Sequence, residues 1–168
     1  MAELAPMDRL QPCLFDRLTD DEPEATKESR DRRVVSIQKY RAAVLRDVEM
    51  LFNSRSRPSE DYIYEFTEAA RSVLNYGVPD LCGATISGIT PADIESRIKH
   101  ALGCFEPRIS PESLSVRIVS GQDTRSAVTI SFEIKGELWA QPSPEHLLIK
   151  TEVDLETGHC EWKGESSG

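Results

Sequence analysis

Leu102-Gly103-Cys104-Phe105-Glu106-Pro107-Arg108-Ile109-Ser110 (LGCFEPRIS) is where the character of the chain changes. Upstream, apolar residues recur at helical spacing; downstream they alternate. Pro107 fixes its own φ and disfavours helix at the preceding residue. The stretch therefore predicts a helix that stops near Phe105, with Glu106 outside it. In an extended segment alternate side chains share a side, which sets Glu106 and Arg108 together as a two-charge patch. One reading is a surface ion pair between the two, worth about 0–1 kcal/mol. The other is a rigid pair of charges presented to a partner, in which case either residue can be removed without loss of folding. Unfolding on removal would mark a third arrangement, a buried intramolecular pair.

The helix that leads into this junction begins clearly. Thr90 is an N-cap, Pro91 takes the first helical position and Asp93 follows three residues after the cap. Ile94, Ile98, Ala101 and Leu102 form its buried face. An earlier helix is predicted over residues 29–52, with Val34, Ile37, Tyr40, Val44, Leu45, Val48, Leu51 and Phe52 on one side. Between them, Tyr62, Phe66, Ala69, Ala70, Val73 and Leu74 allow a second, shorter helix. SVLNYGVPDLCG (72–83) then reads as a packed loop rich in turn formers. It lacks the lysine-bearing glycine run that a phosphate-binding loop needs.

Beyond the junction, Leu114 to Val119 reads as a short strand. Ala127 to Leu138 alternates, with Val128, Ile130, Phe132 and Ile134 on one face. Leu147, Ile149, Thr151, Val153 and Leu155 alternate in turn, and Glu156-Thr157-Gly158 leads into a last strand through Cys160 and Trp162. Helices followed by a meander imply an α+β fold, N-terminal helices packed on one face of a small antiparallel C-terminal sheet. The expected organisation is an acidic arm over 1–28, a single domain over 29–163 and a frayed tail over 164–168.

Inside the acidic, proline-interrupted arm lies one apolar knot, CLFDRL. Leu14, Phe15 and Leu18 come together in one helical turn. Such a knot is either a clip onto the chain's own core or a docking peptide for a partner, and composition leaves both open. If it docks a partner, deleting residues 1–22 leaves the domain folded.

Composition excludes several classes. A net charge of −9 offers no basic field to nucleic acid or anionic lipid. No apolar run approaches a membrane span, and the first residues do not read as an export signal. Cys13, Cys82, Cys104 and Cys160 form no CxxC, and His100, His146 and His159 show no ligand spacing. Reduced thiols in a cytoplasmic protein with no metal and no cofactor are therefore expected.

Several stretches together resemble the TssE family, the small baseplate subunits of bacterial type VI secretion systems, themselves similar to a contractile-phage baseplate wedge protein. They are CLFDRLTDD (13–21), YRAAVLRDVEMLFNSR (40–55), SVLNYGVPDLCG (72–83), IESRIKHALGCFEPRI (94–109) and TEVDLETG (151–158). The departures are mostly apolar or small exchanges, among them Val78, Cys82, Met50, Phe52 and Cys13. The resemblance implies a non-enzymatic subunit that joins TssF and TssG in wedges near the hub, with TssK beneath, and offers a template on which the TssB–TssC sheath starts. It implies partner-binding roles for Glu106, Pro107 and Arg108, and an exposed sheet edge would suit sheath docking by strand addition. The baseplate would lie in the cytoplasm, docked at the inner membrane complex.

Two rival classes exist. Phage relatives have carried a lysozyme-like label, but a glycosidase needs two carboxyls about 5–9 Å apart, one with a raised pKa. Arg108 biases Glu106 the wrong way for a general acid, and Glu112 has nothing to mark it as its partner. The other rival is an adaptor unrelated to secretion.

Overall fold

In α2 (Ile37–Phe52), the Ser36 hydroxyl caps the first turn by accepting from the Lys39 N–H. In α4 (Pro91–Phe105), Thr90 and Asp93 close a full capping box around Pro91. Tyr40, Val44, Val48, Leu51 and Phe52 of α2 and Ile94, Ile98, Ala101 and Leu102 of α4 are buried, as their spacing predicts. The computed structural model describes residues 10, 12–19, 23–24, 35–58, 61–81, 90–119, 129–140 and 144–165. The first helix begins at Ile37 and not, as predicted, at Ser29, because Ser36 is extended and caps it. Ser29 and Val34 themselves lie outside the described residues, as do the turn at 121–123, Ala127 and Val128, the connection at 141–143, and Cys82 and Gly83.

Four strands form one antiparallel sheet in sequence order: β1 (Ser115–Val119), β2 (Thr129–Leu138), β3 (Glu145–Asp154) and β4 (Cys160–Glu165). Phe132 faces Thr151 and Ile134 faces Ile149 across β2 and β3. Phe132, Ile134 and Leu138 alternate into the core with Leu147, Ile149 and Val153, and these side chains join those of α2 and α4 in one hydrophobic cluster. The α+β expectation is therefore met. Inside the cluster, the Thr151 hydroxyl lies 2.7 Å from the Cys160 thiol and donates to the Glu161 carbonyl. Burial pushes that thiol up to about 11, so Cys160 is a packed, inert sulfur.

The second predicted helix does not form as one element. A 3-10 turn (Tyr62–Glu65), the four-residue α3 (Thr67–Ala70) and a second 3-10 turn (Val73–Asn75) take its place. The reason is local. Asp61 and Ser72 each cap a new start by accepting an N–H two residues on, and the buried Asn75 amide bonds Ala70, Arg57 and Tyr64 from the centre. Tyr62, Phe66, Val73 and Leu74, which allowed that helix, are exposed.

The junction 106–110 is fastened to the sheet. Ser110 N–H donates to the Glu137 carbonyl, Trp139 N–H to that of Arg108, and Ile109 bridges Leu138. This close approach needs Gly136: a Cβ there would lie 2.7 Å from Ile109 Cγ2, and Ile109 is fully buried. We expect Gly136→Ala to destabilise by about 1–3 kcal/mol, read as a lower urea midpoint at unchanged slope.

Candidate partner-binding site

The Glu106-Pro107-Arg108 segment is a turn, not the extended stretch the sequence suggested. Glu106 N–H closes α4 by donating to the Leu102 carbonyl, and Ile109 N–H donates back to the Glu106 carbonyl. Pro107 occupies the second position of that turn, where its fixed φ fits. The turn folds the two charges onto each other. Arg108 Nε donates to Glu106 Oε1 at 2.6 Å, Nη2 to Oε2 at 2.5 Å, and the Arg108 backbone N–H to Oε1 at 3.2 Å.

Glu106 is only 3% exposed, so the two-charge surface patch is corrected. Its carboxylate is a buried group satisfied from within the chain, the third of the arrangements considered above. Pro107 is exposed and Arg108 half-buried. What faces outward is therefore the proline, with the Arg108 side chain only 19% exposed beside it and Glu106 beneath.

The pair continues into α2 and the arm. Arg108 Nη2 also donates to Asp47 Oδ2 at 2.7 Å. Asp47 Oδ1 accepts from Arg46 Nε at 2.9 Å and Nη2 at 2.7 Å. Arg46 Nη1 reaches Asp16 Oδ1 at 2.5 Å, and Asp16 Oδ2 accepts from the Cys13 thiol at 2.9 Å. Three carboxylates and two guanidiniums thus run from the end of α4 to the arm. Burial alone would lower the Arg108 pKa, but its bonds to Glu106 and Asp47 outweigh that and raise it. Burial would likewise raise Asp16, but Arg46 and Cys13 hold its carboxyl below the ordinary value.

The apolar knot forms α1 (Leu14–Leu18), one short helix. Its polar side faces the body through Asp16. Leu14, Phe15 and Leu18 are 61–75% exposed, so they are not a clip into the core. The Arg46 guanidinium carbon sits 5.3 Å from the centre of the Phe15 ring, a cation–π contact. The clip is Leu10, which sequence reasoning missed. It is buried in the main cluster, and its carbonyl accepts from the Val35 N–H. A deletion to residue 22 therefore also removes a core side chain, so its effect on folding is no longer that of the knot alone.

Trp139 was missed as well. It is 63% exposed, just past β2, and its carbonyl accepts from the Tyr40 hydroxyl while its N–H holds Arg108. The signal was available: with Phe132, Ile134 and Leu138 inward, the period of two puts residue 139 outward.

Enzymatic geometry does not develop around Glu106. Both of its oxygens are taken by Arg108, and Arg108 separates it from Asp47. Cys104 Sγ and His100 Nε2 lie 3.6 Å apart, one turn apart on α4. Among the described residues no group of three metal-ligating side chains forms. Nor, among them, is any helix long and apolar enough to cross a membrane.

The sequence matches the family described as baseplate wedge protein gp25 over residues 38–143, more than half of the chain. The chain belongs to that family. Family membership gives it a structural role in a phage-tail-like baseplate, with other baseplate proteins as its contacts. No curated protein and no solved structure matches the chain. The matched region of this wedge protein runs from α2 to just past β2 and contains Glu106, Pro107, Arg108 and Trp139. The arm with Leu14, Phe15 and Leu18 lies before it.

Proposed function

We propose that this wedge-family chain is the TssE-like subunit of a type VI secretion baseplate, a non-enzymatic joint between TssF and TssG, near TssK, that starts the TssB–TssC sheath. The observation that carries this reading is the contiguity of Arg108 with the arm. The segments assigned to partners, Glu106-Pro107-Arg108 and Leu14, Phe15 and Leu18, are 88 or more residues apart in sequence, yet one chain of ion pairs ties them together. In this reading Leu14, Phe15, Leu18, Pro107 and Arg108 meet TssF and TssG, and Glu106 supports Arg108. The arm, residues 1–28, serves as a docking segment on a domain that spans 29–163, and the work is done in the cytoplasm.

For the sheath we assign the β4 edge. The opposite edge is obstructed: the Glu95 carboxylate of α4 accepts the Ile118 N–H of β1 at 2.7 Å. At β4, among the described residues, the Asn53 amide meets Cys160, accepting its N–H at 3.0 Å and donating to its carbonyl at 3.4 Å.

Co-purification with TssF and TssG tests the reading. Wild-type chain is expected to be retained by the two together. The triple variant Leu14→Ser, Phe15→Ser, Leu18→Ser is expected to keep its circular dichroism and thermal midpoint, since these residues are exposed, and to lose retention at least tenfold. A folded wild-type chain that neither protein retains would overturn the assignment. Turnover of purified peptidoglycan would revive the hydrolase.

A further inference from the structure

A cavity of about 460 Å³ opens between the arm and α2, with Asp16 on one wall and Lys39, Tyr40, Arg46 and Arg108 on the other. Arg108 donates through Nε and Nη2, but its Nη1 is buried with no hydrogen-bond partner among the described residues. Asp16 is close enough for the Arg108 charge to help hold its carboxyl low. Among the described residues, Asp16 is the acidic side chain that the arm places on this cavity wall, and it sits across a pair of arginines, one with a spare donor.

The attachment of α1 is slight. A five-residue helix does not hold its own hydrogen bonds in water. It turns its apolar residues to solvent, and its polar hold on the body runs through Arg46, a side chain 40% exposed that pairs with Asp16 and lies 4.0 Å from the Cys13 sulfur. Asp47 divides its two oxygens between Arg46 and Arg108, so whatever moves Arg46 also alters the surroundings of Arg108.

We propose that α1 is a removable cover and that Asp16 holds the place of a partner's carboxylate. An acidic, amphipathic segment of a baseplate partner displaces Asp16, bonds Arg46 and the spare Nη1 of Arg108, and releases Leu14, Phe15 and Leu18 together with the rest of α1. This rests on the reading of Arg108 and the arm as partner-facing, and adds that the arm comes free in the same step that uncovers Arg108.

The test uses the full chain and no secretion component, so its failure leaves the baseplate assignment standing. Hydrogen exchange of residues 13–19 reports docking, because the Arg17 and Thr19 amides donate within α1. Asp16→Asn is expected to speed exchange there about three- to fivefold and Asp16→Lys roughly tenfold, with Asp16→Glu near wild type and residues 40–52 unchanged. A synthetic peptide of residues 12–19, PCLFDRLT, is then added to each chain. It should shift the NMR signals of Arg46, Asp47 and Arg108 in Asp16→Lys and leave wild type unaffected; its Asp-to-Asn version should do neither. Unchanged exchange at 13–19 in Asp16→Lys would overturn the cover. Faster exchange without peptide shifts at Arg46 and Arg108 would overturn the carboxylate site.

Discussion

Glu106→Ala is expected to lower stability by about 3–5 kcal/mol, a fall in Tm of roughly 10 °C. The carboxylate it removes is buried and accepts three hydrogen bonds from Arg108. Without it the half-buried guanidinium keeps one bond, to Asp47, and the turn that closes α4 loses its side-chain tie to the Arg108 N–H. Arg108→Ala should cost a similar amount by stranding the buried carboxylate. This revises the sequence-based expectation that either charge could be removed from a normally folded chain. A plain alanine scan would therefore confuse folding with binding. Replacing both, Glu106→Leu with Arg108→Met, should recover most of the stability, because an apolar pair of similar volume needs no compensation. If that double variant regains its Tm yet still fails to retain TssF and TssG, Arg108 acts at the interface. Retention at wild-type level would confine the pair to folding. Chemical denaturation of all three variants beside the co-purification decides between them, and a Glu106→Ala chain as stable as wild type would refute the buried pair.

Gly77→Ala is expected to destabilise by about 3 kcal/mol or more, a loss comparable to that of Glu106→Ala. Gly77 has φ +132°, a conformation that residues with a Cβ rarely adopt. A Cβ there would stand 2.6 Å from the backbone of Ser54 and Arg55. Backbone cannot step aside as a flexible side chain would. At this point the loop runs beside the exit of α2: Val78 N–H donates to the Ser54 carbonyl and Ser56 N–H to that of Val78. Gly158, with φ +68°, is the control. Its substitution by alanine carries the smaller penalty of a left-handed turn position, about 1 kcal/mol. Urea unfolding of the two variants should separate them by at least 2 kcal/mol, and equal midpoints would show that the 54–55 backbone yields.

The sequence by itself determined the elements whose cause is local. Thr90, Pro91 and Asp93 specify the start of α4, and Pro107 its stop after Phe105, because caps and proline act within four residues. Period-two alternation specified β2 and β3 and their inward faces, since a one-residue slip would expose the whole set. The resemblance to a baseplate family was legible in the same way, from stretches lying in order along the chain. The tertiary structure alone decided what each charge faces. Nothing near Asp16, Arg46 or Asp47 in sequence marks them as partners of Glu106 and Arg108, which lie 59 or more residues further on. They are brought together because α2 and the end of α4 share one core. The same holds for the segment 62–75, whose apolar residues allow a helix. The buried Asn75 amide, with Asp61 and Ser72 as caps, breaks it into three turns because side-chain hydrogen bonds to backbone compete with the helix once they are sheltered from water.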